Sequence, residues 1–583
     1  MSQYDKYLIP LLSRINGATR IHAAINIATK LADDPLVAKG IVQFAINSKL
    51  LELSYFTDAE SGEAVAFVSK PNHSFDIRTT VQDWVPDAAM TQWQCAVLNT
   101  AQKTQFRVNH KVYDFVQAHR NHWRRTEGNH TVDIITTVMG ATERHLKAHP
   151  DGVFVQHGAM PDGRRIYFLH NPLSHQGGDV ARAMTDFAES FRLKSPLSLH
   201  YLVKVVSDEY GVTLRNYRAI LKNPKMCFGT SMGLKGKKPA CTYRAALAVA
   251  ECVETGQSSY IVQQDQTCSG FQHWSIELGC QNLATLTNLC GGPKQDLYTA
   301  SSNIAATLLP NGYEFFLGRD PGKFFVLRMG YGSSAKALSR GLVLDKPRED
   351  SLQYCNEDGN YITGSLEKCP VARLNPKNYE YLRSFNDWTI AVEQTQRVSR
   401  AYYDGLMSIS PKLQAALRMC KEANKVALAK GEFLSWTLPN GDVKKNMAWS
   451  PDTLSKSVRV SMKDQNGKPF MFSYKPMIRQ ASDSAVAPIM IHSCDGLVMG
   501  SMVLDAYRMH GVPIAGIHDS VGCPVSVMEE MPSMWLRIVQ QNFLNRNNSM
   551  FFETMEKYEI TVPKIWGTGW CRVDIGNATH HMG

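Results

Sequence analysis

The chain has no pair of cysteines at the C-x-x-C spacing of a zinc site, although thirteen cysteines are scattered over its 583 residues. Structural zinc needs thiolates or imidazoles grouped at short spacings, so a zinc finger or ribbon is excluded. A disulfide-stapled scaffold is excluded as well, because such scaffolds are small and dense in cysteine. Scattered thiols fit a reducing compartment, and a cytoplasmic location is expected. No uninterrupted apolar run reaches the ~20 residues of a membrane-spanning helix, so no membrane partner is expected. The opening Met-Ser-Gln-Tyr-Asp-Lys-Tyr has neither the basic end nor the apolar stretch of a secretory leader. Internal repeats and low-complexity tracts are also absent.

What is present is enough apolar sequence, 44%, for a sizeable core. The length suggests roughly three or four folding units. The net charge is +10 and the isoelectric point about 8.8, a mild bias toward a polyanionic partner. Helical apolar spacing marks residues 21–31 and, more strongly, 91–126. The second stretch carries Lys103, Arg107, Lys111, Arg120, Arg124 and Arg125. Those cations read either as a solvated helix face or as the flank of a polyanion groove. Residues 160–290 mix strands with helices, and 293–345 read as helices. Residues 457–475 alternate about Asn466-Gly467, the pattern of a β-hairpin. Its Arg459, Lys463, Lys468 and Lys475 suit DNA or simple exposure equally. Residues 487–510 read as an amphipathic helix leading into a strand.

Two aspartates stand out, each at the end of an apolar strand-like run. Asp265 closes Tyr260-Ile261-Val262-Gln263-Gln264, and Asp519 follows Ile514-Ala515-Gly516-Ile517-His518. Alone, an aspartate after a strand reads as a cap. Two carboxylates gathered from distant strands can also hold a pair of Mg²⁺ ions about 4 Å apart, the arrangement used for nucleotidyl transfer. A third segment runs from Arg319 through Asp320-Pro321-Gly322-Lys323 to Gly330-Tyr331-Gly332. Asp320-Pro321 is expected to cap and open a helix there. Lys323 and Tyr331, eight residues apart, fall about 80° apart around that helix. A cation near a helix start can meet a triphosphate; a surface lysine and a core tyrosine are the plainer reading.

Together these segments resemble the single-subunit, phage- and mitochondrial-type DNA-dependent RNA polymerases. Motif A is similar to Asp265 through His273, motif B to Arg319, Lys323, Tyr331 and Gly332, and motif C to His518-Asp519-Ser520, in the family's order. Ile491-His492-Ser493-Cys494-Asp495-Gly496 resembles the segment whose histidine contacts the ribose. Lys222 and Tyr298 match positions beside the incoming nucleotide, and Gly163-Arg164-Arg165 matches an element that grips template and hybrid, in either register. His518 and Gly332 are expected on the template side. The resemblance runs from about residue 90 onward and includes a thumb-helix likeness over Val97–Val112.

The fold implied is α+β, a right-hand polymerase, mostly helical with a small antiparallel palm sheet. Thumb would be 91–159, palm 160–292 and 493–583, and fingers 293–492, behind a reduced N-terminal region, 1–90. The resemblance implies two Mg²⁺ ions held by Asp265, Asp519 and the Gln266 carbonyl. Lys323, Arg319 and Lys222 would bear on the triphosphate, and a DNA template, NTPs and an RNA product would be partners. Where related DNA polymerases carry a glutamate that blocks a 2′-hydroxyl, Gly270 leaves space, and Tyr331 and His492 offer polar partners.

The departures are Gln266 in place of the motif A glycine, the atypical Asp320-Pro321-Gly322 between Arg319 and Lys323 in motif B, and an end without the aromatic foot. Only about 90 residues precede the thumb-like region, so either promoter opening is expected to need an accessory promoter-binding or single-stranded-DNA-binding protein, or the template is single-stranded or supercoiled. A phage protein in the bacterial cytoplasm fits this reading. A primase making short primers and a catalytically silent DNA-binding subunit are the alternatives.

Overall fold

A computed structural model describes Leu11, residues 19–343 and residues 388–582, apart from short stretches of which 58–63 and 70–76 are the longest. Gly163 of the Gly-Arg element lies outside the described residues, as do 344–387 of the expected fingers. The architecture is mixed and rich in helix, with small antiparallel sheets.

Near the N-terminus, helices Ile21–Ala32 and Pro35–Asn47 pack together beside a three-stranded sheet ordered Thr19–Arg20, Ala64–Ser69, Glu52–Thr57. Their apolar faces form a core separate from the main one. The expected hairpin is present, Val458–Lys463 paired with Pro469–Tyr474, and Gly467 at its turn has φ +81°. Its Met462, Phe470 and Phe472 enter the N-terminal core rather than the main one. Gln43 ties the two edges by donating to the Lys463 carbonyl (2.8 Å) and accepting from its amide (2.8 Å).

The helical reading of 91–126 holds only in pieces. Helix Gln92–Gln102 starts at a capping box between Thr91 and Gln94. It stops before a strand, Gln105–Val108, and helix resumes at His110–Ala118 behind the Asn109 cap. That strand lies between Val153–Val155 and Thr185–Phe187 in a three-stranded sheet. Phe106 and Val108 alternate inward while Gln105 and Arg107 stay out, a period of two that a helical reading of the same apolar residues hides.

Helix Val486–His510 departs from expectation in a different way. It is buried on nearly every side rather than amphipathic. By length and composition it is apolar enough to cross a membrane, contrary to the sequence reading, but 83% of its most apolar window is buried inside the protein. It forms the central rod of the main core, with helix Gln92–Gln102, helix Ser269–Glu277 and helix Met531–Val539 packed around it. Helices Leu297–Leu308, Arg319–Gly330 and Trp388–Ile409 pack on one another to one side, as the helical reading of 293–345 anticipates.

Candidate active site

The two aspartates come from segments far apart in sequence and meet on one ribbon. Strand Val262–Asp265 pairs antiparallel with Ser520–Cys523, and Asp265 lies opposite Ser520. Asp519 is therefore one residue beyond the partner of Asp265. A two-residue turn, His518-Asp519, closes the second segment through reciprocal 2.8 Å bonds between Ile517 and Ser520. His518 takes φ +58°, and Cys268, just after the first strand, takes φ +64°. Left-handed backbone at a non-glycine residue costs on the order of 1–3 kcal/mol and survives where its surroundings hold it. Both aspartate loops are held in this way.

Asp265 is exposed and Asp519 partly so. Ser269, at the start of helix Ser269–Glu277, donates to Asp519 Oδ2 (2.8 Å) and so ties the two segments together. Burial raises the Asp519 carboxyl above its ordinary range, and the negative charges of Asp495 and Asp265 raise it further. Among the described residues no three His, Cys, Asp or Glu side chains form a ready-made metal cage. Two hard carboxylates on one ribbon, repelling each other, still fit Mg²⁺, which keeps several waters and takes only one or two protein carboxylates beside substrate phosphates. Gln266 is buried next to Asp265 and bridged to Met582, and its side-chain amide has no hydrogen-bond partner among the described residues.

Helix Arg319–Gly330 begins two residues earlier than the Asp320 cap predicts, with Gly318, whose φ is +108°, at the cap position. Pro321 stays in the first turn, where a missing N–H costs nothing. Arg319 donates to Asp296 Oδ2 (2.6 Å) and its guanidinium lies 5.6 Å from the Tyr298 ring. Lys323 is exposed, and its charge reaches Cys268 in the first aspartate loop. Tyr298 is buried against Cys268, and burial together with that thiol pushes its hydroxyl up.

Tyr331 caps the same helix, and Gly332 turns the chain away at φ +86°. The Tyr331 ring meets His492 edge-on at 5.2 Å. A Cβ added at Gly270 would lie 2.7 Å from the Tyr331 hydroxyl oxygen, so the missing side chain is what leaves room for that hydroxyl. Burial and then the charges of Asp495 and Asp519 raise the Tyr331 hydroxyl, which remains a donor at neutral pH. Burial and then Arg165 push His492 down to about 4, so its imidazole is neutral. His518 is lowered by the same two causes, and its ring lies 5.0 Å from that of Tyr167.

The remaining expected residues divide. Arg165 enters the centre, donating from Nε to Asp495 Oδ2 (3.0 Å), whereas Arg164 lies beside it on the loop over Gly496. Lys222 ends the short helix Tyr217–Lys222, is exposed, and makes no ion pair with the aspartates. Sequence reasoning missed Asp495, Ser269 and Asp296 as organisers. An aspartate three residues after His492, in the midst of the apolar run from Val486 to Leu504, is the signal the sequence offers for Asp495.

This chain is homologous to DNA-directed RNA polymerases of organelles and of phage. It is 22% identical to DNA-directed RNA polymerase 2B, chloroplastic/mitochondrial, of Nicotiana tabacum, over 96% of this chain and 52% of that protein. It is 23% identical to the DNA-directed RNA polymerase of Pseudomonas phage phiKMV, over 70% of this chain and 51% of that protein. A mitochondrial DNA-directed RNA polymerase of Schizosaccharomyces pombe matches at 27% over 26% of this chain. The chain spans about half the length of the first two. No protein-family model matches it.

Proposed function

We propose that this chain is a DNA-dependent RNA polymerase that adds ribonucleotides to an RNA 3′ end, serving phage transcription in the host cytoplasm. The observation that carries the reading is the ribbon on which Asp265 and Asp519 converge, with Gly270, Tyr331 and His492 beside it. Homology to DNA-directed RNA polymerases supports the substrate class. In this reading the ribbon belongs to a palm, helix Arg319–Gly330 to fingers, and the region after Thr91 to a thumb.

Asp265, Asp519 and the Gln266 main-chain carbonyl would hold two Mg²⁺ ions. When bound, the ions neutralise charge on the attacking 3′-oxygen and the leaving pyrophosphate. Lys323, exposed at the edge of the site, meets the triphosphate and supplies a proton to the pyrophosphate. Arg319 is oriented toward the same phosphates by Asp296, and Tyr298 supports it from below. Lys222 acts from the rim as further positive charge. Tyr331, a donor, and neutral His492 pair with the ribose 2′-hydroxyl in the space that Gly270 leaves open. A site built to bond a hydroxyl rejects the sugar that lacks one. Promoter opening is assigned to an accessory protein, and the basic hairpin with its N-terminal support to contact with duplex DNA.

The test is extension of an RNA primer on a DNA template with Mg²⁺, comparing NTPs with dNTPs. Extension with NTPs is expected, and Asp265→Asn or Asp519→Asn should reduce it by at least ~10³-fold with the thermal melt preserved. Wild-type activity surviving in either variant sinks the assignment. Products that stop after a few nucleotides on a long template would favour the primase reading.

A further inference from the structure

Beneath the Tyr331–His492 pair lies a buried cluster that the proposed chemistry does not use. Asp495 sits on helix Val486–His510, three residues and about one turn after His492, on the same face. Its side chain is 0% exposed. A carboxylate so placed must be paired to stay charged. Arg165 pairs with it through Nε (3.0 Å) and a terminal nitrogen, both directed at Oδ2, and His273 Nε2 lies 3.1 Å from Oδ1. Burial alone would raise the Asp495 carboxyl, but Arg165 and His273 outweigh it and hold it well below the ordinary range. Gly496 completes the seat. Any side chain there would run into the Arg164 carbonyl, so the arginine loop rests directly on the helix backbone.

An arginine that grips phosphate presents its planar fork to solvent and to the nucleic acid. Arg165 does the opposite: its side chain is only 14% exposed and its fork closes on a carboxylate inside the protein. Its charge bears on Tyr331, His492, His518 and Asp519 together. Arg165 and its partner Asp495 both act on all four, so the pair links the sugar-side residues to the second aspartate.

We propose that Asp495, backed by His273, is a positioning residue that fixes Arg165 as a strut under the nucleotide pocket, and that Arg165 is not a ligand of template or hybrid phosphates. The proposal rests on the polymerase reading for its catalytic consequences. Its binding consequence stands apart from that reading.

The experiment uses the full chain and the variants Asp495→Asn, Arg165→Gln and the pair of both. Primer–template affinity is measured against salt, and NTP and dNTP kinetics follow. Losing a phosphate contact lowers the slope of log affinity against log salt by about 1, so an unchanged slope in Arg165→Gln is expected. The variants should raise KM for NTPs and lower the NTP preference by about tenfold, the scale seen when an outer support of a site is removed. The double variant should be no worse than either single. A slope that falls by about one, or unaltered KM and sugar preference in folded variants, overturns the proposal. If Asp495→Asn does not fold, the double variant, which leaves neither charge unpaired, carries the same readouts. A wild-type chain that binds primer–template without extending it would defeat the polymerase reading, while the salt slope would still decide the role of Arg165.

Discussion

Gly270 shows how one absent side chain shapes the site. Its Cα faces the Tyr331 hydroxyl so closely that a single methyl would press on it. Gly270→Ala should therefore displace that hydroxyl and cut NTP extension by roughly ten- to a hundredfold. Tyr331→Phe, which removes the hydroxyl without crowding, should leave extension intact and admit dNTPs. Competing NTP and dNTP incorporation on one primer checks both, and an alanine variant with wild-type rates would refute the steric account. Glu277 gives a pH signature. Burial pushes this carboxyl up to about 7, although it accepts the Phe551 amide (2.8 Å). The folded value lies above the ordinary 4.5, so the native state binds the extra proton between the two values. Stability from this group is thus full below about 4.5 and lost as pH rises through about 7, by about 3 kcal/mol. Glu277→Gln should remove that slope in melts taken from pH 5 to 8, and an equal slope in both chains would contradict it.

At the scale of elements, the sequence carried what is local. Asn466-Gly467 announced its hairpin, the run ending at Asp265 announced a strand, and the spacing over 293–345 announced helices. The strand Gln105–Val108 was hidden because four alternating residues between two helices keep the apolar content of a helix. Helix Val486–His510 looked one-sided because Asp495 is polar, and only its partners Arg165 and His273 explain a charge in the core. Such partners are invisible in a linear reading, since 330 positions separate Arg165 from Asp495. A second buried pair locks the three-stranded sheet to its covering helix. Arg244 on helix Pro239–Thr255 donates to Asp186 Oδ1 (2.7 Å), whose other oxygen accepts from Asn109 (2.7 Å) and Ser259 (3.1 Å). Arg244→Met leaves that carboxylate uncompensated and should destabilise the fold by about 3–5 kcal/mol. Denaturant unfolding measures it, and a loss under ~1 kcal/mol would show the pair to be dispensable.

For the molecule as a whole, the basic hairpin and the N-terminal sheet are one body. Met462, Phe470 and Phe472 complete a core whose other members lie between Leu11 and Val68. Nothing in either segment alone signals this, because each shows only a half-apolar face awaiting a partner. Phe472→Ala should cost about 3–5 kcal/mol locally. Hydrogen exchange should then accelerate together in Ala64–Ser69 and Pro469–Tyr474 while the aspartate ribbon stays protected. Exchange rising in the hairpin alone would mean that the two are independent.

The pairing of Asp265 with the strand after Asp519 also sets a clock on the protein's birth. Ser269 and the carboxylate it bonds are 250 positions apart. At about 5–20 residues per second, a ribosome needs roughly 10–50 s to traverse that interval. Through all of it the first strand waits without its partner, an open edge in a half-made chain. A nascent fragment short of the second strand therefore carries Asp265 without Asp519, and the two meet only once Ser520–Cys523 has been made.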